Sequence, residues 1–215
     1  MSSEPSMREA QKALDHLLLG IVNLQQGIEW MFEKTGVRAA PGGSHPGIGT
    51  RNALLSLGNF QYIEIISLDP MQQQKGLTAS LVENLTVPQW ITWAASTDNI
   101  DEVSRKAQAA GYAIDGPSDG ERVKPDGGIL RWRTARIISE FGGVIPFFIE
   151  WGAGIRHPSN DAPSGCRLLG FAIEHPKQDQ VRKMLLELGI ETAICHGDKA
   201  RLKAVLSTPA GRIEL

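Results

Sequence analysis

The chain has 215 residues, 41% of them hydrophobic and 21% charged, a balance that excludes a disordered chain and can build one compact domain or two small ones. A formal net charge of −2 and an isoelectric point near 6.2 give no electrostatic reason to expect nucleic acid or an anionic membrane as the main partner. Two cysteines, Cys166 and Cys195, are too few for a disulfide framework and fit no zinc-ligand spacing, so reduced thiols in a cytoplasmic protein are expected.

Residues 1–12 are polar, lack the apolar stretch of a secretory signal, and read as a mobile N-terminal arm. No run approaches the ~20 apolar residues needed to span a bilayer. "LDHLLLGIVN" then reads as a strand, and "NLQQGIEWMFEKTG" as an amphipathic helix with Ile28, Met31 and Phe32 toward a core and Gly36 as its stop. A Gly/Pro-rich passage, "AAPGGSHPGIGT", leads to the strands "RNALLSLG" and "FQYIEIISL", with a hairpin turn at Gly58 and Asn59. This is a first unit, residues 13–68, followed by a linker at about 69–87.

The same order returns over residues 88–152. "WITWAAST" is a strand, and "NIDEVSRKAQAAG" a helix with Val103, Ala107 and Ala110 at core spacing and Gly111 at its end. "LRWRTARII" and "VIPFFIEWG" are the later strands. A third, shorter copy at 165–215 runs "CRLLGFAIEH", the helix "KQDQVRKMLLELG", then "TAICH", "RLKAVLST" and "RIEL". Glu64, Glu150 and Glu214 fall near the ends of the three units. The expected fold is α+β, with repeated βαβββ units, two pairing around a cup and a third, partial one appended.

Two of these strands, "YIEII" and "FFIEW", place a carboxylate among apolar neighbours, although an unpaired buried carboxylate is strongly disfavoured. Strand alternation puts His16, Leu18 and Gly20 on one face and Leu17, Leu19 and Ile21 on the other, which should pack on the helix. The same reasoning predicts that His16, Glu64, Thr92 and Glu150 all point away from the helices into a concavity.

Repeated βαβββ units, "DH" in the first strand and a glutamate in a unit's last strand resemble the vicinal oxygen chelate (glyoxalase/bleomycin resistance/extradiol dioxygenase) superfamily. Within it, "LDHLLLGIVNL", "GVRAAPGGSHPGIGTRNALLSLG" and "YIEIISLDP" resemble the glyoxalase-like domain family, most clearly over residues 13–152. The resemblance implies two units around a cup and a small-molecule lyase, isomerase or dioxygenase. It also implies one divalent ion (Zn, Ni, Mn or Fe) held by His16, Glu64 and Glu150. Thr92 stands where metal-binding members more usually carry His, Gln or Glu, and a neutral hydroxyl is a poor ligand for such ions. A metal-free cup that binds a small molecule or drug therefore stays open beside the metal-assisted enzyme.

Around that set, His45 in "GGSHPGIGT" is a candidate proton shuttle, because imidazole titrates near neutrality, and Glu150 a second candidate for moving a proton. Asn52, Thr92, Arg131 and Arg133 are candidate substrate contacts. Superfamily members often dimerise, so a homodimer formed through the odd third unit is expected. No GxxxxGK[ST] loop or GxSxG elbow is present.

Overall fold

The computed structural model describes residues 13–74, 76–124 and 126–215; the expected N-terminal arm lies outside them. The first unit is β1 (Leu14–Gly20), α1 (Leu24–Thr35), β2 (Ala40–His45), β3 (Thr50–Gly58) and β4 (Gln61–Leu68). After α2 (Leu77–Val82), the second is β5 (Gln89–Ser96), α3 (Ile100–Ala109), β6 (Ala113–Val123), β7 (Ile129–Ile138) and β8 (Phe147–Trp151). The third is β9 (Arg167–Glu174), α4 (Gln178–Glu187), β10 (Ala193–Cys195), β11 (Arg201–Thr208) and β12 (Gly211–Glu214). No helix among the described residues is long and apolar enough to cross a membrane.

Units one and two close a single barrel in the order β1-β4-β3-β2-β6-β7-β8-β5. In each, the first strand runs parallel to the last, and the units meet where β1 lies antiparallel to β5 and Ser44 pairs with Val123. Within the Gly/Pro-rich passage, residues up to His45 form strand β2, the first of the three strands that a βαβββ unit needs after its helix. A Cβ on Gly43 would stand 2.2 Å from the Val123 carbonyl oxygen, so glycine lets the two units zip together there. The β3–β4 turn sits one residue later than expected, on Asn59 and Phe60, both with positive φ, between the paired Gly58 and Gln61.

Helices α1, α3 and α4 are each followed by a positive-φ glycine, Gly36, Gly111 and Gly189. Leu17 and Leu19 of β1, and Ile21 just after it, meet Ile28 and Met31 of α1 in the main core, as their spacing predicts. Phe32 does not join them; it lies half out, under the Arg38 guanidinium at 4.6 Å. In α3 the buried positions are Ile100, Ser104 and Ala107, while Ala110 is exposed. The linker at 69–87 contains α2, whose buried Val82 packs with Leu18 and Ile66 over the inner face of the barrel.

The third unit repeats the order of elements but not the pairing. Its sheet runs β10-β9-β11-β12, with β9 between β10 and β11 rather than beside the last strand. Its apolar face, including Phe171, Ile173 and Leu206, belongs to the same core as Trp93, whose ring stands 5.1 Å from that of Phe171. The sheet face expected to await a second chain is therefore covered from within the chain, which removes the reason given for a homodimer.

Candidate functional site

The inner face of the barrel encloses a cavity of about 290 Å³. Its floor is polar, with His16, His45, Asn52, Tyr62, Glu64 and Arg122, and its walls carry Leu18, Leu54, Ile66, Phe147, Ile149 and Trp151. Ile48 and the start of α2 (Gly76, Leu77, Thr78) also border it.

Asp15 is adjacent to His16 and by alternation belongs on the opposite face. The β1–β5 ladder, however, slips between Leu14 and His16, leaving Asp15 as the extra residue of a bulge, a device that re-aims a side chain. The Asp15 carboxylate, 2% exposed, thereby accepts from His16 Nδ1–H at 2.7 Å through Oδ1. Its Oδ2 accepts from Trp151 Nε1–H at 2.9 Å and His157 Nε2–H at 3.2 Å. His157 comes from the linker after β8, and its Nδ1 takes the Ser159 hydroxyl at 2.8 Å. Tyr62 stacks on the His16 ring at 4.5 Å.

Glu64 lies between two imidazoles: Oε2 is 3.4 Å from His16 Nε2 and Oε1 is 3.7 Å from His45 Nε2. Arg122 Nη1 donates to Asn52 Oδ1 at 2.9 Å, so the Asn52 amide nitrogen must turn to Glu64 Oε1 (2.6 Å) and to His45 Nε2 (3.3 Å). That wiring makes His45 Nε2 an acceptor and leaves Nδ1–H to donate to Thr50 Oγ1 at 2.8 Å.

The electrostatics agree with the wiring. Burial opposes charge on His16, but hydrogen bonds and Coulombic attraction from Asp15 and Glu64 outweigh it and hold the imidazolium up to about 9. Burial likewise opposes charge on Glu64 and Asp15, yet the histidines beside them bring each carboxyl down to about 2. His45 moves the other way. Burial depresses it, and Arg122 and His16 add to that against the pull of Glu64. One imidazole is held charged and the other neutral on opposite oxygens of one carboxylate.

Of the residues singled out from sequence, His16, His45, Asn52 and Glu64 come together here. Glu150 does not. In β8 the cavity takes Phe147, Ile149 and Trp151, so Glu150 faces outward and accepts the Ile100 N–H at 2.7 Å, at the start of α3. The pairing explains the misplacement. Leu17 stands opposite Trp93, so the approximate twofold between β1 and β5 carries His16 onto Thr92 and Leu18 onto Ala94. Leu18 pairs with Glu64 while Ala94 pairs with Phe147, so the counterpart of Glu64 is Phe147, three residues before Glu150.

Thr92 is buried opposite Leu18, with its hydroxyl unpaired and outside the cavity lining. Arg131 and Arg133 alternate with the cavity-lining Leu130, Trp132 and Thr134, so they face outward and pair with Glu121 (3.4 Å) and Asp101 (2.9 Å). The cavity's arginines are Arg122 and Arg136 instead. Asp15, Tyr62, Arg122, Arg136 and His157 were not among the expected site residues; Asp15 carried a signal in the "DH" pair, Tyr62 in sharing a strand face with Glu64, and Arg136 in belonging to "RWRTAR", a candidate anion-binding edge of the cup.

The Glyoxalase-like domain family matches residues 14–189. The chain belongs to that family, a branch of the vicinal oxygen chelate superfamily. No curated protein sequence matches this chain. A hypothetical protein from Staphylococcus aureus shares the fold with a TM-score of 0.68 and 18% identity, over 94% of this chain and 83% of that one. Methylmalonyl-CoA epimerase from Mycobacterium tuberculosis aligns with a TM-score of 0.48 and 20% identity, over 65% and 88%. The Streptomyces coelicolor methylmalonyl-CoA epimerase bound to 2-nitronate-propionyl-CoA aligns with 0.48 and 15%, over 66% and 99%.

The superfamily commonly uses divalent metals. In this member the expected set does not assemble: Glu150 and Thr92 leave it, and Asn52 donates to the carboxylate that remains. Among the described residues no group of three or more His, Cys, Asp or Glu side chains is arranged to hold a metal ion.

Proposed function

We propose that this chain is a small-molecule isomerase or lyase of the vicinal oxygen chelate superfamily that moves a proton with side-chain acids and bases. The observation that carries the reading is the sharing of Glu64 by two differently wired imidazoles. His16 has both ring nitrogens donating, to Asp15 and toward Glu64, whereas His45 presents a lone pair at Nε2. Groups whose surroundings push their protonation apart take the acid and base roles.

In this reading the substrate carries a C–H bond next to a carbonyl. His45 Nε2 takes the proton as the C–H bond breaks, and the electron pair moves onto the carbonyl oxygen. His16 Nε2–H donates to that oxygen as charge develops. Asp15 holds His16 in its donating form, and Glu64 balances whichever imidazole is charged. Return of the proton to the carbon completes an isomerisation; expulsion of a neighbouring leaving group completes an elimination. No step runs through a metal, because the donor set does not fit one.

The test is deuterium incorporation from D₂O into a panel of small carbonyl compounds, followed by proton NMR. Wild type should exchange at least one compound, and His45→Gln and His16→Gln should each lower that rate by about 10²-fold or more. Exchange that both variants retain, or its absence across the panel, would sink the reading.

A further inference from the structure

Among the buried charges of the barrel, Asp15 and Glu64 offset His16 and Arg122, and Arg122 reaches Glu64 through Asn52 in one hydrogen-bonded chain. Arg136 is left over. It lines the cavity from β7, half-buried, and its guanidinium makes no hydrogen bond or ion pair among the described residues. It lies over the ring of Phe147, whose centroid is 5.3 Å from Cζ. Asp115, opposite it in the β6–β7 ladder and at the exposed rim of the same cavity, stands outside ion-pair distance, although its charge favours the guanidinium. Burial works against the charge of Arg136, as it does for any cation lacking a partner.

The surroundings of Arg136 complete a binding surface. Ser118 and Thr134, paired across β6 and β7, add two hydroxyls to the same wall. The Phe147 ring that Arg136 covers also stands 5.7 Å from the His16 ring, so the arginine and His16 flank one aromatic platform. Trp132 and Ile149 extend that apolar surface.

We infer that Arg136 receives the carboxylate of a small organic acid, whose apolar body lies on Phe147 and whose reactive carbon is thereby brought to the His16–His45 pair. A single guanidinium fork matches a carboxylate with two parallel N–H···O bonds. The location of the anion site rests on the geometry alone; the fate of the acid rests on the proton-transfer reading above.

The test uses phenylacetate and pentanoate with their primary amides, which share shape but not charge, and phenyl phosphate as the alternative oxyanion. Binding is measured by ligand-observed NMR in H₂O on wild type, Arg136→Gln, Arg136→Lys and, as the outward-facing control, Arg131→Gln. Wild type and R131Q should favour each acid over its amide by about ten-fold, as for one charge-assisted pair. R136K should keep part of that preference and R136Q none. Equal binding, or equal failure to bind, of acid and amide in wild type overturns the assignment. So does a preference that survives in R136Q, or tighter binding of phenyl phosphate than of the acids. Lost acid preference alongside intact deuterium exchange removes the carboxylate site alone; intact preference without exchange removes the proton-transfer reading alone.

Discussion

Replacing Asp15 with Asn tests the network at its most buried point. The carboxylate accepts from three donors: His16 through Oδ1, and Trp151 and His157 through Oδ2. An amide keeps one acceptor oxygen and turns an NH₂ toward a donor whichever way it is placed. It also leaves His16 with Glu64 as its sole neighbouring carboxylate. The rise of His16 from 6.5 to about 9 corresponds to about 3 kcal/mol of folding stability, shared between Asp15 and Glu64. Because its folded pKa lies above the unfolded one, this contribution is complete below pH 6.5 and is lost as pH climbs through about 9. Asp15→Asn should therefore cost roughly 3 kcal/mol or more near pH 6, where breaking a buried pair is fully felt, and visibly less above pH 9. Urea denaturation of both proteins at pH 6, 7.5 and 9.5 measures this. A difference that stays flat across that range, or a loss below ~1 kcal/mol at pH 6, would refute the charged-His16 network.

Three further outcomes follow from the same geometry. Wild type should lose stability in acid, because Asp15 and Glu64 are brought down to about 2: their contribution is complete above the unfolded values near 4 and disappears as pH falls toward 2. Glu64→Gln should flatten that acid limb in denaturation profiles; an unchanged limb contradicts the assignment. Gly42→Ala should lower stability by ~2 kcal/mol and detach Asn52 from Arg122, since the new Cβ would sit 2.0 Å from Arg122 Nη1 and 2.2 Å from Asn52 Oδ1. Thermal melts and the Asn52 side-chain NMR signals check it, and a variant with native stability and signals counts against the packing described. Glu150→Gln should cost only about 1 kcal/mol, the value of a carboxylate at a helix start, and leave the ring-proton shifts of His16 and His45 unmoved. Shifts as large as those of Glu64→Gln would place Glu150 back in the cavity.

The fold was largely legible because its signals are local. Apolar alternation in "LDHLLLG", helices closed by Gly36, Gly111 and Gly189, and a repeated order of elements each follow from periodicity or glycine geometry. What escaped depends on contacts distant in sequence. The glycines of β2 look like a loop until Val123 of the other unit is known to lie against Gly43. The third unit has the right order of elements, but that order does not say that β9 lies between β10 and β11, with its apolar face in the core that holds Trp93.

The site divides along the same line. His16 and Glu64 were placed correctly because β1 and β4 pair in register through regular alternation. Asp15 was missed because one bulge, invisible in composition, rotates it onto the face of its neighbour. Glu150, Arg131 and Arg133 were expected at the cup but face outward, because one or three residues of offset decide between inside and outside. The result is an asymmetric barrel. At the places where the first unit sets His16 and Glu64, the second sets Thr92 and Phe147, so a metal set drawn equally from both halves is physically out of reach. The second unit supplies instead the apolar platform of Phe147 and Ile149 and the two cavity arginines. In the proposed function one half then holds the acid–base pair and the other the surface on which a substrate rests, a division that an apolar Phe147 permits and a glutamate there would forbid.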